Sequence, residues 1–210
     1  MLKLYGMART RSTRILWALE ELGAEYQFIP VDLAKGEGQT DEFLTLNPAG
    51  KVPVLVDGGL ILTESAAICT YLGDLYPESG MVPDFGTAER ALYNQWCFFV
   101  LTELEQPLWT IGKHKFALPK QQRVPEIKET AVWEFQRAAT RLAKGLRGKE
   151  YLVGDRFTMA DLLAAHTLSW ARAFRVQHDV ESLEEYRAKQ FSRPALQAAQ
   201  EREKTKGENG

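Results

Sequence analysis

The hydrophobic period changes once along this chain, and that change limits the folds open to it. Up to residue 78, short apolar runs at strand spacing alternate with helical stretches; beyond residue 86 every apolar pattern repeats at the helical period. Leu2 to Tyr5 reads as a strand. "TRILWALEELG" reads as a helix with apolar Ile15, Leu16, Leu19 and Leu22 and a stop at Gly23, and "EYQFIPVDL" as a second strand. After the loop "KGEGQTDEFLTLNPAG", with its short helical piece, "KVPVLVD" and "LILTE" form a hairpin across Asp57-Gly58-Gly59, followed by the helix "SAAICTYLGDLYP". The order βαβ, connection, ββα is a thioredoxin-like plan, two units sharing one four-stranded sheet.

The division that follows is an α/β domain over 1–78, a Gly/Pro-rich linker over 79–86 and an all-helical domain over 87–210. The helical part predicts four helices. "TAERALYNQWCFFVLTELEQPLW" is bent or ended near Pro107, and "EIKETAVWEFQRAATRLAKGL" is stopped by Gly145 and Gly148. "TMADLLAAHTLSWARAF" follows, and then a short "RPALQAAQERE" with Pro194 near its first turn. The tail "KTKGENG" is expected to fray. In "FTMADLL", Thr158 is an N-cap with Asp161 at N3, a capping box, and Phe157 and Leu162 form a hydrophobic staple. That pattern gives Asp161 a structural role.

A net charge of −2, from 26 basic and 28 acidic residues, argues against an electrostatic partnership with nucleic acid or an anionic membrane. It leaves room for a small anionic ligand at a local basic site. The two cysteines, Cys69 and Cys97, sit in apolar surroundings and read as reduced core residues of a cytosolic protein. The absence of C-x-x-C excludes a thioredoxin-type dithiol reductase. No apolar run approaches the roughly 18 residues of a membrane span, and the N-terminus shows no signal-peptide pattern. His114, His166 and His178 have no ligand spacing, so no metal is expected.

Three segments carry chemistry. In "GKVPVLV", Pro53 occupies a strand position although it has no N–H for the ladder. A cis Val52–Pro53 bond would turn Val52 outward and offer its N–H and C=O to an extended, peptide-like ligand. A trans proline on an edge is the alternative. In "TESAAI", Ser65 stands at a helix N-terminus, where free N–H groups and the dipole attract anions, with Glu64 beside it. The pair suits a zwitterion, Ser65 for an α-carboxylate and Glu64 for an α-ammonium; plain capping is the alternative. In "ARTRSTRI", the Thr10 and Ser12 hydroxyls meet the start of the first helix, an arrangement that lowers a thiol's pKa. Bringing a thiol from about 8.5 to about 6.5 requires ~2.7 kcal/mol. One hydrogen bond to a charged sulfur supplies roughly 1.5–3 kcal/mol, and the helix dipole up to about 1–2 more. The alternative here is a basic surface turn capped by Ser12. The arginines Arg9, Arg11 and Arg14 of this loop are expected to face a small anion.

Taken together, the hydroxyl loop, "NPAGKVPVL", "LTESAAICTYL" and the helical part with "FTMADL" resemble the glutathione S-transferase family over nearly the whole chain. "RSTRILWALEELG" and "RPALQAA" are most similar to bacterial and fungal members. The resemblance implies a thioredoxin-like first domain, an all-helical second domain, a cytoplasmic homodimer and glutathione as the bound thiol, with no metal. It implies that Val52 pairs with the cysteinyl backbone of glutathione beside a cis-Pro53, and that Glu64 and Ser65 hold the γ-glutamyl end. Lys51 neutralises the glycyl carboxylate and Arg11 assists. For the group that meets the sulfur it leaves Thr10, Ser12 and Tyr5, since the first loop has no cysteine. The electrophile is expected along the first long helix of the second domain, at Trp96, Phe99 and Glu103, although an aromatic stripe at this spacing also suits a core.

The expected function is therefore a glutathione transferase that adds the thiolate to hydrophobic electrophiles, in detoxification. Its alternatives are a glutathione-dependent disulfide or peroxide reductase and a non-catalytic module that binds glutathione or a partner, the last kept open by Arg9 in the first loop.

Overall fold

The structure, a computed structural model, describes residues 1–205. The chain divides into two compact units. The first comprises Met1–Val82 together with the chain from Ser192 onward; the second is Pro83–Phe191.

The first unit is built on a four-stranded sheet, β1 (Leu2–Gly6), β2 (Tyr26–Pro30), β3 (Val54–Asp57) and β4 (Leu60–Leu62), in the order β2-β1-β3-β4. β1 pairs parallel with β2 and antiparallel with β3, which pairs antiparallel with β4. This is the thioredoxin-like arrangement. Strand pleating sends alternate residues to opposite faces. Leu2 and Leu4 are buried on one face, while Tyr5, Val54 and Val56 join Val31 and Phe43 on the other, beneath α2 (Asp41–Leu46). The remaining helices of this unit are α1 (Ser12–Glu21), α3 (Ser65–Leu75) and α9 (Pro194–Thr205).

α9 corrects the expected division, which placed the whole of 87–210 in the helical domain. Every residue of α1 from Ser12 to Leu19 is buried, so this helix is covered on more than the one face a sheet can cover. α9 supplies the second cover. The Arg193 guanidinium meets the Glu21 carboxylate (Nη2 to Oε2, 2.8 Å), which also accepts from Trp17 Nε1 at 2.9 Å. Arg202 lies 3.4 Å from Glu20 and stacks over Tyr26. Leu196 and Ala199 are buried beneath these ion pairs. Of the tail expected to fray, Lys204 and Thr205 continue α9, and residues 206–210 lie outside the described residues.

The second unit is helical: α4 (Ala88–Phe99), α5 (Gln106–Gly112), α6 (Ile127–Leu146), α7 (Met159–Phe174) and α8 (Glu181–Phe191). The chain passes through Pro107 rather than ending there. A π-helical stretch, Val100–Glu105, joins α4 to α5 just ahead of it. Proline removes one i→i−4 bond and crowds the preceding turn, and a widened turn accommodates both. α6 likewise runs through Gly145 and ends at Leu146, with Arg147 in the left-handed conformation. Gly145 is required inside the helix because the Trp96 indole lies against its α-carbon, where a Cβ would collide.

The start of α7 is held by Asp161, which is wholly buried. Its carboxylate accepts from Leu152 N–H (2.8 Å), Thr158 N–H (3.0 Å), Thr158 Oγ1 (2.8 Å) and Tyr186 OH (2.8 Å), joining the preceding loop, α7 and α8 at one side chain. Burial raises its pKa, opposed by those four bonds. Burial also pushes the Cys97 thiol up to about 12, so it stays protonated near neutrality. Asp161→Ala leaves several buried donors unsatisfied and is expected to cost about 3–4 kcal/mol, against about 1 kcal/mol for Tyr186→Phe, by denaturant unfolding.

Candidate functional site

Sheet register brings the three chemistry-bearing segments to one edge. β1 ends at Gly6 and runs into the loop 7–11. Tyr5 pairs with Val54, so the antiparallel β3 begins beside that end, just after Val52–Pro53. Leu55 pairs with Leu62, so β4 finishes at the same end and delivers Thr63, Glu64 and α3.

The Val52–Pro53 peptide is cis. The Val52 side chain packs against the Val31–Phe43–Val54 cluster. Its main-chain N–H and C=O form no hydrogen bond among the described residues. Asn47 Nδ2 donates to the Lys51 carbonyl at 2.7 Å and fixes the approach to this segment. The Lys51 side chain is exposed and has no carboxylate partner among the described residues.

At the start of α3, Glu64 has φ 66° and ψ 110°. A side chain in this region of φ/ψ space carries strain of about 1–3 kcal/mol, which persists where surrounding structure enforces it. The Glu64 carboxylate is exposed and unpaired among the described residues. Ser65 is buried, and its Oγ accepts from Arg14 Nη1 at 3.1 Å. Accepting from a cation leaves the Ser65 proton free to donate and polarises it toward an anion. This alters the expectation for Arg14, which does not face a ligand. It is wholly buried and acts through Ser65, tying the first turn of α1 to that of α3.

The loop 7–11 is ordered by its own hydroxyls. Ser12 Oγ accepts from Met7 N–H (3.1 Å) and from Thr10 Oγ1 (3.0 Å). Thr10 Oγ1 also approaches the Met7 carbonyl at 2.6 Å and accepts from Ser12 N–H at 3.1 Å. Gly6 permits the close return of the chain, since a Cβ there would stand 2.7 Å from Ser12 Cβ. Ser12 is fully buried, and its hydroxyl closes the loop from inside by accepting both bonds. Thr10 is half-buried with its one hydroxyl proton shared between Met7 and Ser12, while its main-chain N–H has no acceptor among the described residues. Arg9 is exposed with φ 59°, and Arg11 is half-buried. Tyr5 lies on the opposite face of β1 from Leu4. Its ring meets Phe43 edge-on at 6.3 Å, and it lines an open cavity of about 260 Å³ with Ile29, Val31, Thr40 and Leu46.

Within the helical unit, Trp96 and Phe99 stack edge-to-face at 5.4 Å, Arg141 lies over the Phe99 ring, and its guanidinium meets Glu103 at 3.2 Å. The aromatic pair and Glu103 thus share one patch against α6. Trp96 is anchored on Gly145 as a packing residue, and Glu103 stands exposed at the rim.

Comparison with known proteins covers both units. Residues 1–74 match the family model of the glutathione S-transferase N-terminal domain, and residues 104–194 that of the C-terminal domain. The chain is 34% identical to glutathione S-transferase hmp2 of Hypomyces subiculosus over 84% of its length and 85% of that protein. The crystal structure of a glutathione transferase from Methylococcus capsulatus str. bath superposes with a TM-score of 0.84 at 32% identity, covering 97% of this chain and 98% of the other. A sphingomonad glutathione S-transferase complexed with glutathione superposes with a TM-score of 0.81 at 31% identity, covering 96% and 98%.

The strain and the exposed carboxylate at Glu64 separate stability from binding. Glu64→Gly is expected to hold or raise stability, by up to about 1 kcal/mol, because glycine accepts this backbone. The same change is expected to weaken glutathione retention about tenfold or more through loss of a charged hydrogen bond, read by thermal unfolding and calorimetric titration of one sample.

Proposed function

The chain belongs to the glutathione S-transferase family, and on that premise we propose that it holds glutathione as the thiolate and adds it to hydrophobic electrophiles. One observation carries this reading. At a single sheet end the protein leaves unpaired, among the described residues, the groups an extended γ-Glu-Cys-Gly ligand needs: the Val52 N–H and C=O, the Ser65 hydroxyl proton, the Glu64 carboxylate and the Lys51 ammonium. Val52 pairs with the cysteinyl backbone as an added strand would. Ser65, backed by Arg14 and the N-terminus of α3, takes the γ-glutamyl carboxylate. Glu64 takes the α-ammonium, and Lys51, with Arg11, the glycyl carboxylate.

The sulfur then lies at the mouth of α1. The Thr10 main-chain N–H is free to donate to it, and the Thr10 hydroxyl does so by turning its proton from the Met7 carbonyl. Ser12 and Tyr5 are the remaining side-chain candidates. Stabilising the thiolate with preorganised donors, and holding it beside an electrophile, accelerates the addition without a covalent enzyme intermediate. The Trp96, Phe99 and Glu103 patch is the proposed electrophile surface. A cytoplasmic homodimer acting in detoxification completes the proposal.

One feature favours a second reading, a module that binds glutathione without activating it: the Thr10 proton already has a close acceptor at 2.6 Å in Met7. Ultraviolet titration of bound glutathione separates the two. Transferase chemistry requires thiolate near pH 7, and an unshifted thiol makes the protein a binding module. Thr10→Ala is expected to raise the thiol midpoint by about one unit and lower kcat/KM about tenfold, while Tyr5→Phe changes either by less than about twofold. Unchanged turnover in both variants would reject the hydroxyl assignment.

A further inference from the structure

The C-terminal helix reaches the loop that precedes α1. Thr13, in the first turn of α1, donates from Oγ1 to Glu203 Oε1 at 2.6 Å. The Arg9 main chain and guanidinium lie near the same carboxylate and favour its charged form. Arg9 is the residue of this loop with a positive φ, 59°, a conformation that a side chain other than glycine, asparagine or aspartate seldom takes without outside support. Glu203 therefore grips the loop at its left-handed corner and at the helix that follows. Burial raises the Glu203 pKa, and the bonds from Thr13 and Arg9 together with the Arg9 charge oppose that rise.

We infer that Glu203 is a positioning residue for the thiol site, holding the Arg9–Thr10 corner so that the Thr10 main-chain N–H points outward to the sulfur. The inference rests on the proposed thiolate chemistry. Glu203 does not touch the ligand. It acts through Arg9, one peptide unit before the donor, and through Thr13, one turn after it. Three other contacts dock α9 away from this corner, Arg193 with Glu21, Arg202 with Glu20, and Arg202 over Tyr26. Their partners Glu20, Glu21 and Tyr26 lie at the end of α1 and the start of β2. The arrangement thus separates docking of the helix from placement of the donor, and the two are testable apart.

The test compares full-length wild type with Glu203→Ala, Glu203→Gln, Thr13→Val and, as a docking control, Arg202→Ala. Amide hydrogen exchange of residues 8–12 is measured without ligand, and the thiol midpoint is read by ultraviolet titration of bound glutathione. Glu203→Ala is expected to speed exchange at Arg9 about tenfold or more. It should raise the thiol midpoint by roughly 0.5–1 unit and lower kcat about three- to tenfold, with the glutathione KM changed less than about twofold. Glu203→Gln, which keeps a carbonyl acceptor, restores most of the protection and the midpoint. Thr13→Val gives a smaller shift in the same direction, and it carries the test if Glu203→Ala does not fold. Arg202→Ala lowers the melting temperature but leaves the midpoint where it was. A wild-type thiolate that forms normally and is unmoved in Glu203→Ala overturns this inference alone, as does an equal shift in Arg202→Ala. A wild type that ionises no glutathione overturns the thiolate reading and this inference with it.

Discussion

A guanidinium with no solvent exposure is costly unless its donors are met, and Arg14 is such a group. It spends one of them on the Ser65 hydroxyl. That bond ties the first turn of α1 to that of α3 and places a guanidinium behind the N-terminus of α3. A buried cation thus stands behind this edge, although the protein as a whole carries −2. On the proposed reading, an anionic tripeptide meets a cation already in place, and Glu64 adds a carboxylate on the rim for its ammonium. The strained backbone of Glu64 and the unpaired main chain of Val52 are departures from local comfort that the buried framework enforces.

The first unit was largely legible in the sequence because its signals are local. A two-period pattern, a hairpin at Asp57-Gly58-Gly59 and glycine and proline stops each report on the few residues around them. Family membership, read from "KVPVL", "ESAAI" and "FTMADL", was legible for the same reason. Burial across the chain was not. Arg14 reads as a surface cation beside Arg9 and Arg11, since nothing in "RTRSTRI" tells that the helix is covered on both sides. The burial of Ser12 is hidden from the sequence for the same cause. The cover over α1 is α9, more than 170 residues away along the chain, and only a partner so distant decides which polar groups of the loop see a ligand.

α8 shows a different limit. Its buried positions Leu183, Tyr186, Arg187 and Gln190 follow the helical spacing i, i+3, i+4, i+7, but two of the four are polar. An apolar period therefore cannot announce the helix. Its packing is instead carried by Tyr186 with Asp161 and Gln190 with the Glu150 carbonyl, while Arg187 pairs with Glu184 within the helix. Of the glycines in "LAKGLRGKE", Gly148 follows the end of α6 with φ 74°, but Gly145 misled for a related reason. Gly145 serves a tryptophan packed against it, and the turn that ends α6 is made by Arg147 in a conformation glycine would adopt more readily.

The order of the chain along the two units has a consequence for biosynthesis. The helical unit is one uninterrupted stretch, Pro83–Phe191, whereas the sheet-bearing unit needs residues from both extremities. A nascent polypeptide emerging from the ribosome can close the helical unit once Phe191 is out, yet the outer side of α1 stays uncovered until α9 follows. The sheet-bearing unit, begun before the helical one, is thus completed after it, and for that interval the uncovered side of α1 is a surface that chaperones can bind.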